Sequence, residues 1–257
     1  AEGGLDGNPG ENVALAETIA EYGLFQILAV KGVEDEYMPM IKPTVMFDGQ
    51  AIYHGDLVSE DVAGFERLEF PAPGCSTLIL STWSGGAHCC FAHYLLSRCP
   101  GGDHFSLIDV GNQEAGSEDS VLGPTDMNND GIPELQVADN SFAYYSAGEN
   151  SLCFACSPLL PRLLVWDGQG WRPDKPGEFR QYYLEQLAAY SSSAPDAGAA
   201  IQGSYFLLMA GEDAATAQAR LLELLPGEWQ ASAGAVWEDI KQRVKDFNPI
   251  TAQNRFE

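Results

Sequence analysis

The spacing of apolar residues changes once along this chain, and that change limits what the chain can build. Up to Trp171, apolar and polar residues alternate in short runs broken by Gly, Pro, Asn and Asp, at 25–30, 44–47, 51–54, 65–70, 76–83, 91–98, 105–110 and 163–166. Alternation sends successive side chains to opposite faces, the pattern of a half-buried strand. Asp48-Gly49 and Asp167-Gly168 sit between such runs and read as hairpin turns, so consecutive strands are expected to pair antiparallel. After Pro176 the period lengthens. Phe179, Tyr183, Leu187 and Tyr190 fall on one helical face, and so do Val236, Ile240, Val244 and Phe247. Two further helices are expected at 199–210 and 214–225, with Asp196 and Glu212-Asp213 as acidic starts. The expected fold class is α+β. An antiparallel β meander, a sandwich or partial propeller-like arrangement, spans 13–175; an α-helical region follows over 176–257; a loose, Gly-rich tail occupies 1–12. Inside the first region, 13–22 carries helical spacing in Leu15, Ile19 and Tyr22 and is expected to be a short helix.

Residues 126–134, Asp-Met-Asn-Asn-Asp-Gly-Ile-Pro-Glu, carry the strongest chemical signal. Asp126, Asn128 and Asp130 place a side-chain oxygen at every second position, Gly131 supplies a sharp turn, Ile132 offers its carbonyl and Glu134 closes the set. Ca²⁺ takes about six to eight oxygen ligands, and a wound loop alternating carboxylate and amide delivers them. An Asn/Asp/Gly-rich turn between strands accounts for the composition, but not for the full spacing, so these five residues are the candidate metal ligands and Ca²⁺ the expected cofactor. An EF-hand fits less well. Its loop ends in a bidentate Glu at the twelfth position, which here is Val137, and 135–138 alternates like a strand.

The stretch resembles the calcium loops of FG-GAP and VCBS-type repeats, found in integrin α-chain propellers and secreted bacterial proteins, where such a loop runs straight into a strand. The resemblance covers about a dozen residues and implies a structural Ca²⁺ in a β-rich extracellular fold. Together with Gly85-Gly86-Ala87-His88-Cys89-Cys90 and Ser157-Pro158 before a strand, it also gives the chain the look of exported bacterial proteins.

The formal net charge is −24, and residues 1–150 hold 24 acidic against 4 basic residues. Such a field repels phosphate backbones and anionic lipid, so neither nucleic acid nor membrane insertion is expected. The partner class that remains is a protein or another extracellular ligand. No apolar run approaches the ~18 residues of a membrane span, and Ala1-Glu2-Gly3-Gly4 has the look of a mature end left after leader cleavage. Six cysteines suit an oxidising, periplasmic or secreted setting. Pairing Trp83 with Phe91 sets Cys75 opposite Cys99, which predicts a cross-strand bridge. Cys89, Cys90, Cys153 and Cys156 remain; two bridges between the vicinal pair and the Cys-Phe-Ala-Cys unit, or one inside that unit, both satisfy the spacing.

Other chemistry is weaker. His88, Cys89, Cys90 and His93 concentrate copper and zinc ligands, but neighbours on a strand face opposite ways, and oxidised thiols do not ligate. This cluster carries the alternative reading, a metal-binding or thiol-redox factor. Ser84 beside Gly85-Gly86 and near His88 lacks the preceding glycine of a nucleophile elbow, because position 82 is Thr. No catalytic residue is assigned, and a hydrolase with a site hidden in sequence is the third reading. Cys153-x-x-Cys156 lacks a following helix and ranks as a structural bridge before a redox motif. The expected role is binding or assembly without turnover.

Overall fold

The computed structural model describes residues 17–31, 40–54, 58–59, 62–83, 91–100, 106–109, 121–139, 141–190 and 195–247. They fall into two compact units, divided between Asp61 and Val62.

The first unit is one antiparallel sheet. β1 (Glu17–Tyr22), β2 (Phe25–Lys31), β3 (Met40–Phe47) and β4 (Gln50–His54) pair in sequence order, and β5 (Val58–Ser59) also pairs with β3. Alternation builds its core: Phe25, Ile27, Val45 and Phe47 are buried, and Phe25 meets its cross-strand partner Phe47 edge-on with centroids 4.8 Å apart. At the β3–β4 turn Asp48 and Gly49 both take positive φ, 48° and 78°, the geometry that matches strand twist in a tight hairpin. The helix expected at 13–22 is corrected here. Residues 17–22 form β1, turned by Gly23 at φ 58° onto β2. Thr18, Ile19 and Tyr22 suit a pleated surface, and pairing overrides the accidental helical spacing. The tail over 1–12 lies outside the described residues.

The second unit has three layers. β6 (Val62–Leu68), β7 (Ser76–Trp83), β8 (Phe91–Arg98) and β9 (Ser106–Asp109) form one meander. β10 (Val121–Thr125), β11 (Glu134–Asp139), β14 (Leu160–Trp166) and β15 (Trp171–Pro173) form a second sheet, with the short hairpin β12 (Ser146–Ala147) and β13 (Asn150–Ser151) inserted before β14. Neither sheet closes on itself among the described residues. Ile79 and Leu95 of the first pack against Leu135, Val137, Leu164, Trp166 and Trp171 of the second. Trp171 Nε1 donates to Ser97 Oγ at 3.0 Å across the same interface.

Helices cover the far side. α1 (Arg180–Ala189), α2 (Ala197–Met209), α3 (Ala214–Leu224) and α4 (Ala233–Asp246) appear close to where the longer period places them. Asp196 and Asp213 are the N-caps, accepting from Ala199 N at 2.6 Å and Thr216 N at 2.9 Å. All seven residues of β14 are buried: Leu163 and Val165 join the helical core, while Leu164 and Trp166 join the sheet core. Arg162, 2 % exposed on that strand, is paired by its Nε to Asp174 Oδ1 at 2.8 Å, and Tyr183 Oη donates to Asp174 Oδ2 at 2.5 Å. The mixed fold of antiparallel sheets followed by helices is thus as the residue periods predict. Among the described residues no helix is long and apolar enough to cross a membrane.

Candidate metal site

The loop at 126–133 joins β10 to β11, whose first pair is Thr125 with Glu134. Its short polar side chains bond the backbone two to five residues ahead, which is how Asp and Asn wind a chain. Asp126 Oδ1 accepts from Asp130 N at 3.1 Å, and its Oδ2 from Gly131 N at 2.9 Å. Asn128 Oδ1 accepts from Asp130 N at 2.9 Å, and Asp130 Oδ1 from Ile132 N at 2.8 Å. The winding needs positive φ at Asn129 (60°) and Gly131 (88°). No atom lies within 4 Å of a Cβ built on Gly131, so glycine is required there for its backbone angle, not for space. Met127 packs on the helical core and Ile132 on the sheet core, so both layers hold the loop.

Glu134 sits beneath the bend and is 1 % exposed. Its Oε2 accepts from Met127 N at 2.8 Å, whereas its Oε1 is buried with no hydrogen-bond partner. Burial raises its carboxyl above the usual carboxylate range, and the charges of Asp130 and Asp126 push the same way. A buried carboxylate with one free oxygen beside two more carboxylates is costly unless a cation or a proton offsets it.

The donor set fits Ca²⁺ in kind: carboxylate, amide and carbonyl oxygens without sulfur or imidazole. Each carboxylate oxygen engaged by one N–H keeps a second lone pair. In the conformation seen, however, Asp126 and Asp130 spend their oxygens on the loop's own amides. Among the described residues no three His, Cys, Asp or Glu side chains gather into a ready metal centre.

The cysteines resolve in part. Cys75 and Cys99 are bridged, as their strand register predicts. Cys153 bonds Cys156, the second of the two arrangements that the spacing leaves open: the one-turn 3₁₀ helix Phe154–Cys156 brings its own two sulfurs together. His88, Cys89, Cys90 and Ser84 lie outside the described residues; His93 stands on β8 opposite Ser81.

Two arrangements escape a reading of the sequence. The Arg162–Asp174 pair is signalled only by a lone charge in an otherwise apolar strand. The other is a cleft of about 490 Å³ lined by Gln136, Gln186, Gln202, Pro158, Leu159 and Tyr190 among others, with no charged side chain among the described residues of its wall. Its glutamines come from β11, α1 and α2, so no local motif marks it. Leu159 and Tyr190 are 47 % and 59 % exposed at its edge, and Gln202 Nε2 donates to Leu159 O at 3.0 Å. No known family model matches the chain, and neither a curated protein nor a solved structure does.

Proposed function

We infer that the chain is a calcium-stabilised binding or assembly protein of an oxidising, extracytoplasmic compartment, with Asp126, Asn128, Asp130, Ile132 and Glu134 supplying the ion's ligands. The observation that carries this reading is the buried, unpartnered Oε1 of Glu134 under a loop of hard oxygen donors. When bound, Ca²⁺ supplies the positive charge that lets three carboxylates stay ionised together. Asp126, Asn128 and Asp130 hold the bend, and Glu134, as the first residue of β11, ties it to the strand. Two residues farther along, Gln136 enters the wall of the uncharged cleft. Fixing the loop therefore fixes one wall of a surface suited to a neutral polar ligand or an uncharged protein segment. In a chain of net charge −24, a cleft whose described lining carries no charge spares a bound segment direct contact with a like charge. The two disulfides among the described residues support the compartment.

Isothermal titration with CaCl₂ tests the reading. One saturable site is expected, lost in Asp130→Ala and not reproduced by Mg²⁺, which demands a smaller octahedral cage. A flat calcium titration of the wild-type chain removes the proposal.

A further inference from the structure

The two disulfides of the described residues differ in what they do for the fold. Cys75 is 4 % exposed, and its bridge to Cys99 joins the ends of β7 and β8 across a sequence separation of 24. Cys153 and Cys156 are both exposed and only 3 residues apart, so their bond staples nothing distant. Their turn is already closed by hydrogen bonds. Cys156 N donates to Cys153 O at 3.1 Å, Ser157 N to Phe154 O at 3.1 Å, and Ser157 Oγ to Cys153 O at 2.8 Å. A short closed ring removes little freedom from the unfolded chain, so its structural value is small.

Three features surround that exposed bond. Cys153 Sγ accepts the N–H of Cys156 at 3.1 Å, a contact that favours thiolate over thiol once the bond opens. The turn rests on the start of α2: a Cβ on Gly198 would stand 2.5 Å from the Cys156 carbonyl oxygen, so only glycine permits the approach. Asp196, the cap of that helix, accepts from Ala199 N and offsets the partial positive charge of the helix start, so the contact with α2 holds the turn in place and does not tune its sulfurs. Finally, the uncharged cleft begins at Ser157, the residue after Cys156.

We propose that Cys153–Cys156 is an exchange-active disulfide that oxidises the dithiol of an uncharged polypeptide segment. This activity goes beyond the calcium-dependent binding reading and stands without it. A thiolate of the partner attacks Cys156 Sγ. A bond forms between the two sulfurs, the Cys153–Cys156 bond breaks, and its electron pair leaves on Cys153, received by the Cys156 N–H. The partner's second thiol, after losing its proton, attacks the partner sulfur of the mixed disulfide and expels Cys156 as thiolate. The partner thereby loses two electrons and two protons and becomes a disulfide; Cys153 and Cys156 take up both and end as thiols.

The probe is a reduced, uncharged synthetic peptide with two cysteines, mixed with one equivalent of the full oxidised chain. The comparison is an oxidised hexapeptide of sequence 152–157. The chain is expected to oxidise the probe at least about tenfold faster than the hexapeptide does, because only the fold supplies the α2 contact and a fixed N–H. Alkylation and mass mapping should then find Cys153 and Cys156 reduced with Cys75–Cys99 intact. A rate no greater than the hexapeptide's, or reduction appearing at Cys75 and Cys99 instead, overturns the proposal. Gly198→Ala, which pushes the turn off α2, should lower the rate toward that of the hexapeptide while leaving the melting transition of the remaining chain cooperative. An unchanged rate in a folded Gly198→Ala chain also overturns it.

Discussion

Replacing Glu134 by glutamine separates a calcium ligand from a merely buried acid. In calcium-free buffer, the wild-type carboxyl is buried, has one N–H donor, and is opposed by Asp126 and Asp130. The folded state therefore holds its proton to higher pH than the unfolded chain does. Between the ordinary glutamate value of about 4.3 and the raised folded value, the folded form binds more protons than the unfolded, so stability falls as pH climbs through that window. Glu134→Gln removes the charge at nearly constant volume and should stabilise the calcium-free chain above this window by about 1–2 kcal/mol. With calcium the sign of the charge is an advantage. Extracellular modules bind Ca²⁺ with Kd of about 10⁻⁴–10⁻³ M, so about 10 mM calcium adds roughly 1.4–2.7 kcal/mol to the wild type. At about 2–4 °C per kcal/mol for a unit of this size, that is a rise in Tm of about 3–11 °C. Differential scanning calorimetry at pH 7.5, with EGTA and with calcium, reads all four states. The expected pattern is a calcium-dependent rise in the wild type and none in Glu134→Gln, with the variant melting higher in EGTA. An equal rise in both chains, or no rise in the wild type, refutes the reasoning.

Other perturbations probe the frame that holds the site. Arg162→Met leaves Asp174 buried without its cation and should cost about 3–5 kcal/mol by urea unfolding, whereas Arg162→Met with Asp174→Leu should recover much of it. Arg243 Nη2 donates to Asp139 Oδ1 at 2.7 Å and ties α4 to β11; since Arg243 is partly solvated, Arg243→Ala should cost about 1–3 kcal/mol in the same assay. Burial raises the hydroxyls of Tyr145, Tyr182, Tyr183 and Tyr205 above the usual tyrosine range. The unfolded chain ionises them near pH 10, so stability should fall as pH rises past about that value, and absorbance at 295 nm should show these four titrating only with unfolding.

Elements governed by local chemistry are legible in the sequence. The four C-terminal helices follow from their period and from Asp196 and Asp213 as caps, and β7 and β8 fall at 76–83 and 91–98 because both alternate cleanly between breakers. The bend at 126–133 is legible because Asx side chains and Gly131 dictate bonds within five residues. What depends on distant partners is not. β1 reads as a helix until β2 is there to pair with it, and β15 is too short at three residues to show a period. Cys153 chooses Cys156 because a 3₁₀ turn shortens the path between them, a detail that cysteine spacing leaves open. Arg162 in an apolar run hints at a buried partner, yet nothing nearby names Asp174. The glutamine-lined cleft needs three elements assembled before it exists.

The strand from Leu160 to Trp166 has consequences for how the second unit comes apart. Because its odd-numbered side chains Leu163 and Val165 complete one core and its even-numbered Leu164 and Trp166 complete the other, neither can be exposed without disturbing the strand that serves both. Loss of the helices strips one face of that strand, and loss of the outer meander strips the opposite face. Heat should therefore take both layers in one step, with the amides of 162–165 last to exchange with solvent.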